Sequence, residues 1–281
     1  MPDRVAVVTD STAGLPPELA ARWGIQVIQI QLQVAGQIDD ENRYDRAELI
    51  EALKAGTAVS TTPPEVGAFF WTYQDAVAAG ATAIVSLHLS GKMSATVEAA
   101  REASQQIKIP VYVMDTGTAN MSMGFAAISA ARAAAAGAPA ARVVAAAEYR
   151  YATGRELIYV DTLEYLRRGG RIGGAQALLG TAFSIKPLLT LTDGEVSPLT
   201  KVAGTRRAVA KMVDLAVKQA RGRAVDLAVS QFGEDQHVVW IANQLRKRLP
   251  QASEPLLVEA SMVLGAHLGP GSLGITVSPV P

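Results

Sequence analysis

Short apolar runs of strand length alternate with longer stretches of helical period along the first half of the chain. Val5-Ala6-Val7-Val8 reads as a buried strand and gives way to the polar turn Thr9-Asp10-Ser11-Thr12. Proline suits a first helical turn, so a helix is predicted from Pro17, followed by a strand over 27–32. Asp45 and Glu48 have capping-box spacing ahead of Leu49, Ile50 and Leu53, which predicts a helix ending near Gly56. A helix over 65–79, a strand over 84–87, a helix from Ser94 and a strand over 111–114 continue the alternation. Strands separated by helices of this length predict a mostly parallel sheet covered on both faces.

The rhythm changes after an Ala-rich stretch, 125–147, which Gly137 and Pro139 divide into a helical hairpin. Strands are predicted over 157–160, 185–191, 195–202, 225–230 and 256–260, with Thr192-Asp193-Gly194 as the turn of an antiparallel pair. Helices over 206–220 and 234–249 would cover one face of this sheet. The expectation is an α/β chain of two domains: 1–155 with the parallel sheet flanked by helices, and 156–281 with a mixed or antiparallel sheet. A cleft between them is the natural ligand site.

Composition narrows the partners. The 281 residues are 49% hydrophobic and 19% charged, which suits a filled core. Lys plus Arg and Asp plus Glu number 26 each, so no net field draws the chain to nucleic acid or to an anionic membrane. The absence of cysteine removes disulfides, thiolate nucleophiles and Cys-type zinc sites together, and it agrees with a reducing compartment. The N-terminal apolar run is too short for a signal peptide, and Arg132 and Arg142 interrupt the Ala-rich stretch before it reaches membrane-spanning length. No transmembrane segment is expected, and the expected location is the cytoplasm.

Catalytic and nucleotide signatures fail on context. Gly269-Pro270-Gly271-Ser272-Leu273-Gly274 has the letters of a dinucleotide fingerprint, which works only where it joins a strand to a helix. The residues after it, 275–281, contain two prolines and leave no room for that helix. Gly91-Lys92 is followed by Met93 where a phosphate loop needs Ser or Thr. No Gly-x-Ser-x-Gly elbow occurs, and His88, His237 and His267 have no metal-ligand spacing, so neither a metal nor a cofactor is expected. A Ser–His pair assembled in space, Ser90 or Ser94 with His267, stays open as a hydrolase or acyltransferase acting on acyl esters. Asp39-Asp40-Glu41-Asn42 lacks the glycine of a calcium loop and reads as a solvated turn.

Hydroxyl-rich turns at predicted strand ends are the remaining signal: Thr9-Asp10-Ser11-Thr12, Ser60-Thr61-Thr62-Pro63-Pro64, and the stretch from Ser90 to Thr96. Hydroxyls and free backbone N–H groups at helix starts suit a carboxylate, although helix capping alone would account for any one of them. Arg171 lies beyond Gly169 and Gly170, where it no longer serves a helix end and is free for an anion. His267 stands in a glycine-flanked loop whose backbone is expected to line a site.

Together with Val113 to Thr116, Leu163 to Gly174, Ile185-Lys186-Pro187, Asp193-Gly194 and Gly265 to Gly271, these segments resemble the DegV family of bacterial fatty-acid-binding proteins across nearly the whole chain. The resemblance implies a two-domain carrier that performs no covalent chemistry. A long-chain fatty acid of the palmitate or oleate kind would lie with its tail in an apolar tunnel and its carboxylate between the domains. By position, Thr61 or Thr62 and Ser94 would hydrogen-bond the carboxylate beside the backbone N–H of Ala95, with His267 supporting the head group. Arg171 would lie near the opening, facing a partner fatty acid kinase of the dihydroxyacetone-kinase-like type. Phe69, Phe70, Leu178, Leu179 and Phe183 are candidate tunnel residues. The family's usual Ser-Gly-Thr is here Ser94-Ala95-Thr96, and a positive φ at Ala95 would cost on the order of 1 kcal/mol.

Overall fold

The computed structural model describes residues 4–180, 184–234 and 236–281. In chain order the first half supplies β1 (Val5–Asp10), α1 (Pro17–Trp23), β2 (Ile25–Ile28), β3 (Gln31–Val34), β4 (Gln37–Asp40), α2 (Arg46–Lys54) and β5 (Val59–Thr62). It continues with α3 (Val66–Ala78), β6 (Ala83–His88), α4 (Thr96–Ser104), β7 (Val111–Asp115), α5 (Met121–Ala135) and α6 (Ala140–Thr153). The second half supplies β8 (Arg155–Tyr159), α7 (Glu164–Arg168), β9 (Ile185–Thr192), β10 (Glu195–Ala203) and α8 (Thr205–Ala220). It ends with β11 (Val225–Phe232), α9 (His237–Arg248), β12 (Leu256–Glu259), α10 (Met262–Leu268) and β13 (Ser272–Pro279).

The first sheet runs β2-β1-β6-β7 and is parallel throughout. Its alternating side chains feed two cores. Val8, Ile28 and Ile84 pack against Phe69, Tyr73 and Ala100 of α3 and α4. Val7, Ile25 and Val85 pack against α1 and α5 on the other face.

The strand predicted over 27–32 is in fact two. β2 ends at Ile28, and β3 belongs to a separate antiparallel sheet of order β4-β3-β5. The Ile30 N–H donates to Ser11 Oγ at 3.0 Å and its carbonyl accepts from the Glu41 N–H at 3.1 Å, so the chain leaves the parallel ladder without orphaned backbone groups. Glu41, expected in a solvated turn, is buried. Its Oε2 accepts from the Val263 N–H at 3.1 Å, which ties the small sheet to the start of α10.

The second sheet has order β10-β9-β8-β13-β11-β12 and is antiparallel except for the β11–β12 pair. Leu273, Ile275 and Val277 of β13 pack with Val209, Val213 and Ile241 beneath α8 and α9. The opposite face turns toward the first half. There the α5–α6 hairpin forms a shared layer, because Phe125, Ala126 and Ala147 pack with Val7 and Val85 and also with Ala228 and Val258. Arg150 of α6, 2% exposed, pairs with Asp226 of β11 at 2.6 Å and holds the hairpin to the second sheet. Losing one member of such a pair typically costs about 3–5 kcal/mol, because the other charge is left stranded. Among the described residues no helix is long and apolar enough to cross a membrane.

Candidate functional site

A partly enclosed cavity lies between the two sheets, walled by Leu89, Met93, Ile158, Leu166, Val263 and Leu264. Thr61, Ser94, Arg171 and His267 contribute polar atoms to it from four separate segments. Their contacts form a continuous chain. Thr61 Oγ1 and His267 Nε2 are 2.9 Å apart. The His267 imidazole packs against Gly169, and the Gly169 carbonyl accepts from Arg171 Nη1 at 2.7 Å. Arg171 Nε donates to the Met93 carbonyl at 2.9 Å, next to Ser94, and the Ser94 and Thr96 hydroxyls lie 2.8 Å apart.

The electrostatics follow from burial. Loss of water, reinforced by the Arg171 charge, holds the His267 imidazole down to about 4, so it is neutral near pH 7. His267 Nδ1 is buried and has no partner among the described residues. Gly169 has φ −74°, a conformation open to alanine, yet a Cβ there would collide with the imidazole. Gly169→Ala is therefore expected to push His267 toward water and raise its titration toward 6.5, followed by NMR of the imidazole. An unchanged titration would refute this packing account.

Another part of the same cavity wall is also polar. Glu156, Asn120, Ser230 and Gly274 line it. Glu156 Oε1 accepts from the Ser122 N–H at 2.8 Å and from the Thr276 hydroxyl at 2.7 Å. Asn120 Nδ2 donates to Ser230 Oγ at 2.9 Å and reaches Glu156 Oε2 at 3.4 Å. Burial pushes the Glu156 carboxyl up to about 7 despite these bonds.

The family model described as an uncharacterised protein of the DegV family matches residues 4–280. The chain belongs to the DegV family. A DegV domain-containing protein of Streptomyces coelicolor, SCO2569, is 41% identical, with 99% of each chain covered. A DegV family protein from Thermus thermophilus, whose structure is described as showing fatty acid binding, superposes with a TM-score of 0.93 at 31% identity, covering 99% of this chain and 100% of that one. DegV of Bacillus subtilis, described as a fatty acid binding protein, gives 0.88 at 28% identity over 99% and 100% of the two chains.

In this DegV chain four of the six residues singled out by sequence meet at the cavity, and two do not. Thr61 and Thr62, expected in a turn, lie on β5 opposite Leu32 and Gln31 of β3. Successive strand residues face opposite sides, so Thr61 reaches the cavity and Thr62 does not, its Oγ1 buried without a partner among the described residues. Ala95 is exposed and outside the lining; its φ of −77° removes the strain expected there. His267 is on a helix, not in a loop: the Ser261 hydroxyl caps α10 by accepting from the Leu264 N–H at 3.1 Å, and Gly269 at φ 84° ends it. Arg171, expected to face a partner at the opening, lines the cavity itself.

Of the tunnel candidates, Phe69, Phe70, Leu178 and Leu179 do not line it. Phe69 is sealed in the α3–α4 core with its ring 5.1 Å from that of His88, and Phe70 packs against the same core. Leu178 packs with Leu163 and Leu166 in the core beside α7, and Leu179 is exposed. Phe183 lies outside the described residues. Sequence reasoning missed Glu156, Asn120 and Ser230. The available signal was the alternation Ser272, Gly274, Thr276, Ser278 in β13, which marks a face of small polar residues.

A Ser–His–Asp relay does exist, but elsewhere. Asp10 Oδ2 is 3.1 Å from His88 Nδ1, His88 Nε2 is 2.7 Å from Ser86 Oγ, and the Tyr73 hydroxyl donates to Ser86 Oγ at 2.8 Å. All four side chains are fully buried, so no ester can reach Ser86 in this arrangement. Ser90, outside the cavity lining, donates through Oγ to the Gly194 carbonyl at 2.7 Å, and the hydroxyl of Ser94, at the cavity, pairs with Thr96. Among the described residues neither serine is hydrogen-bonded to His267, and no carboxylate holds its Nδ1.

Proposed function

We propose that this chain carries one long-chain fatty acid, of the palmitate or oleate kind, in the cavity between its two sheets and performs no chemistry on it. The observation that carries this reading is the contact chain Thr61–His267–Gly169–Arg171–Met93–Ser94 at one part of a mostly apolar cavity. Burying a tail gains roughly 0.8 kcal/mol per methylene before ordering costs, whereas an ionised carboxylate needs donors to replace its water. Here the Thr61 and Ser94 hydroxyls donate, and Arg171 supplies charge through Nη2, which its two backbone contacts leave out. With His267 neutral, its Nε2–H can donate to Thr61 Oγ1, turning the Thr61 proton toward the ligand. The serines' lack of a bonded base supports a carrier over an acyl hydrolase.

The same reading extends to organisation and partner. Residues 1–155 and 156–281 act as the two walls of the cavity. The acid is presented to a fatty acid kinase of the dihydroxyacetone-kinase-like type in the cytoplasm, past the exposed Arg167 and Arg168 of α7. Native mass spectrometry with added palmitate or oleate tests the carrier: one acid per chain is expected, and no uptake overturns it. Arg171→Ala should weaken binding by about 10- to 100-fold, the range of one charge-assisted hydrogen bond. Thr61→Ala with Ser94→Ala should weaken it by at least about tenfold. Unchanged affinity in both would move the head group elsewhere.

A further inference from the structure

The wall formed by Asn120, Glu156 and Ser230 has no part in the head-group chain, yet it opens into the same cavity. Three neighbouring strands place it there. Thr276 stands opposite Glu156 and Gly274 opposite Ser230 in the ladder, and Asn120 approaches from the start of α5. Asn120 is held at φ 57° and ψ −154°, a backbone conformation that side chains rarely adopt, which brings its amide onto Ser230 and Glu156. A Cβ on Gly274 would collide with Ser230 Oγ and crowd Asn120 Nδ2 at 3.3 Å, so glycine leaves room for these polar groups.

The group has unspent hydrogen-bonding capacity. Glu156 Oε1 is filled by two donors, whereas Oε2 has, among the described residues, the long 3.4 Å approach of Asn120. Ser230 Oγ accepts from Asn120, and its own proton has no acceptor among the described residues. Above about pH 7, where Glu156 is ionised, a donor and an acceptor thus stand side by side in a mostly apolar cavity, where neither a methylene nor a methyl group can use them. A hydroxyl can, since it accepts from Ser230 and donates to Glu156 at once. A ketone could only accept.

We propose that Asn120, Glu156 and Ser230 form a second polar subsite that takes a hydroxyl carried on the acyl chain, so that hydroxy fatty acids are a preferred ligand class. This rests on the carrier reading above. The subsite selects the position of the hydroxyl along the chain, because the head group fixes one end and the wall fixes the reach.

The test is competition for the full-length protein between palmitic acid and monohydroxy palmitic acids whose hydroxyl is moved carbon by carbon. One position, or two adjacent ones, should bind about tenfold tighter than palmitic acid, the ratio one well-made hydrogen bond supplies. Ser230→Ala, a small change expected to fold, and Glu156→Gln should each reduce that ratio to about twofold or less. If every isomer binds no tighter than palmitic acid, or if the preference survives both variants, the wall is a water site or plain structure and the proposal fails. Binding of an isomer without binding of palmitic acid would uphold the subsite and overturn the plain fatty acid reading. Binding of neither would overturn both.

Discussion

Asp10→Ala is expected to lower the stability of the folded chain by about 4 kcal/mol or more, the range reserved for breaking a buried polar network. The Asp10 carboxyl takes hydrogen bonds from the Thr12 N–H at 3.0 Å and the Leu89 N–H at 3.1 Å, from the Thr12 hydroxyl, and from His88 Nδ1 at 3.1 Å. With no water to replace it, each of these donors would be stranded at zero exposure or close to it. The loss propagates to function, because Leu89 leads directly into the loop that carries Ser94. Urea unfolding read by circular dichroism checks the magnitude, and palmitate uptake of the surviving folded fraction checks the link. A loss under about 1 kcal/mol would mean that other bonds hold these loops.

The second large effect concerns pH. Glu156 titrates at about 7 in the folded chain against an ordinary 4.5, so folding holds a proton that the unfolded chain releases. The stabilisation from that proton is complete below about 4.5 and is lost as pH rises through about 7. His267 runs the other way. Depressed to about 4 from 6.5, it stabilises the fold fully above 6.5, and this is lost as pH falls through 4. Each displacement, from 4.5 to about 7 and from 6.5 to about 4, corresponds to about 3 kcal/mol. The two therefore oppose each other over much of the acidic range, and single variants unmask them. Relative to the parent chain, Glu156→Gln should gain about 3 kcal/mol between pH 4 and pH 8, and His267→Gln should gain about 3 kcal/mol as pH falls from 7 to 4. Glu41, also pushed up by burial, adds to the Glu156 direction in both proteins and cancels from the difference. Urea midpoints at a series of pH values measure this. Parallel profiles for variant and parent would contradict the burial assigned to these groups.

The elements with strong local signals were legible residue by residue. Asp45 accepts from the Glu48 N–H at 2.9 Å and caps α2 as its spacing predicts, and Pro17 opens α1. Two misreadings shared one cause, which is contact with residues far along the chain. β5 is a strand because β3 pairs with it, and nothing within Ser60-Thr61-Thr62 announces that partner. Glu41 is buried because the start of α10 comes down on it, more than two hundred residues later in the chain.

The sequence by itself determined the strand–helix alternation of the parallel sheet and the antiparallel pair around Asp193-Gly194, but not β3–β5, α10 or β13. The alternation and the pair depend on neighbours a few residues apart, where periodicity and capping act. Tertiary structure alone decided that Thr61 and not Thr62 faces the cavity, that Ala95 stays outside, and that Arg171 is within. It also drew Glu156 and His267 out of water and so set their protonation. Both are consequences of packing between distant segments, and no local pattern encodes which segments will meet.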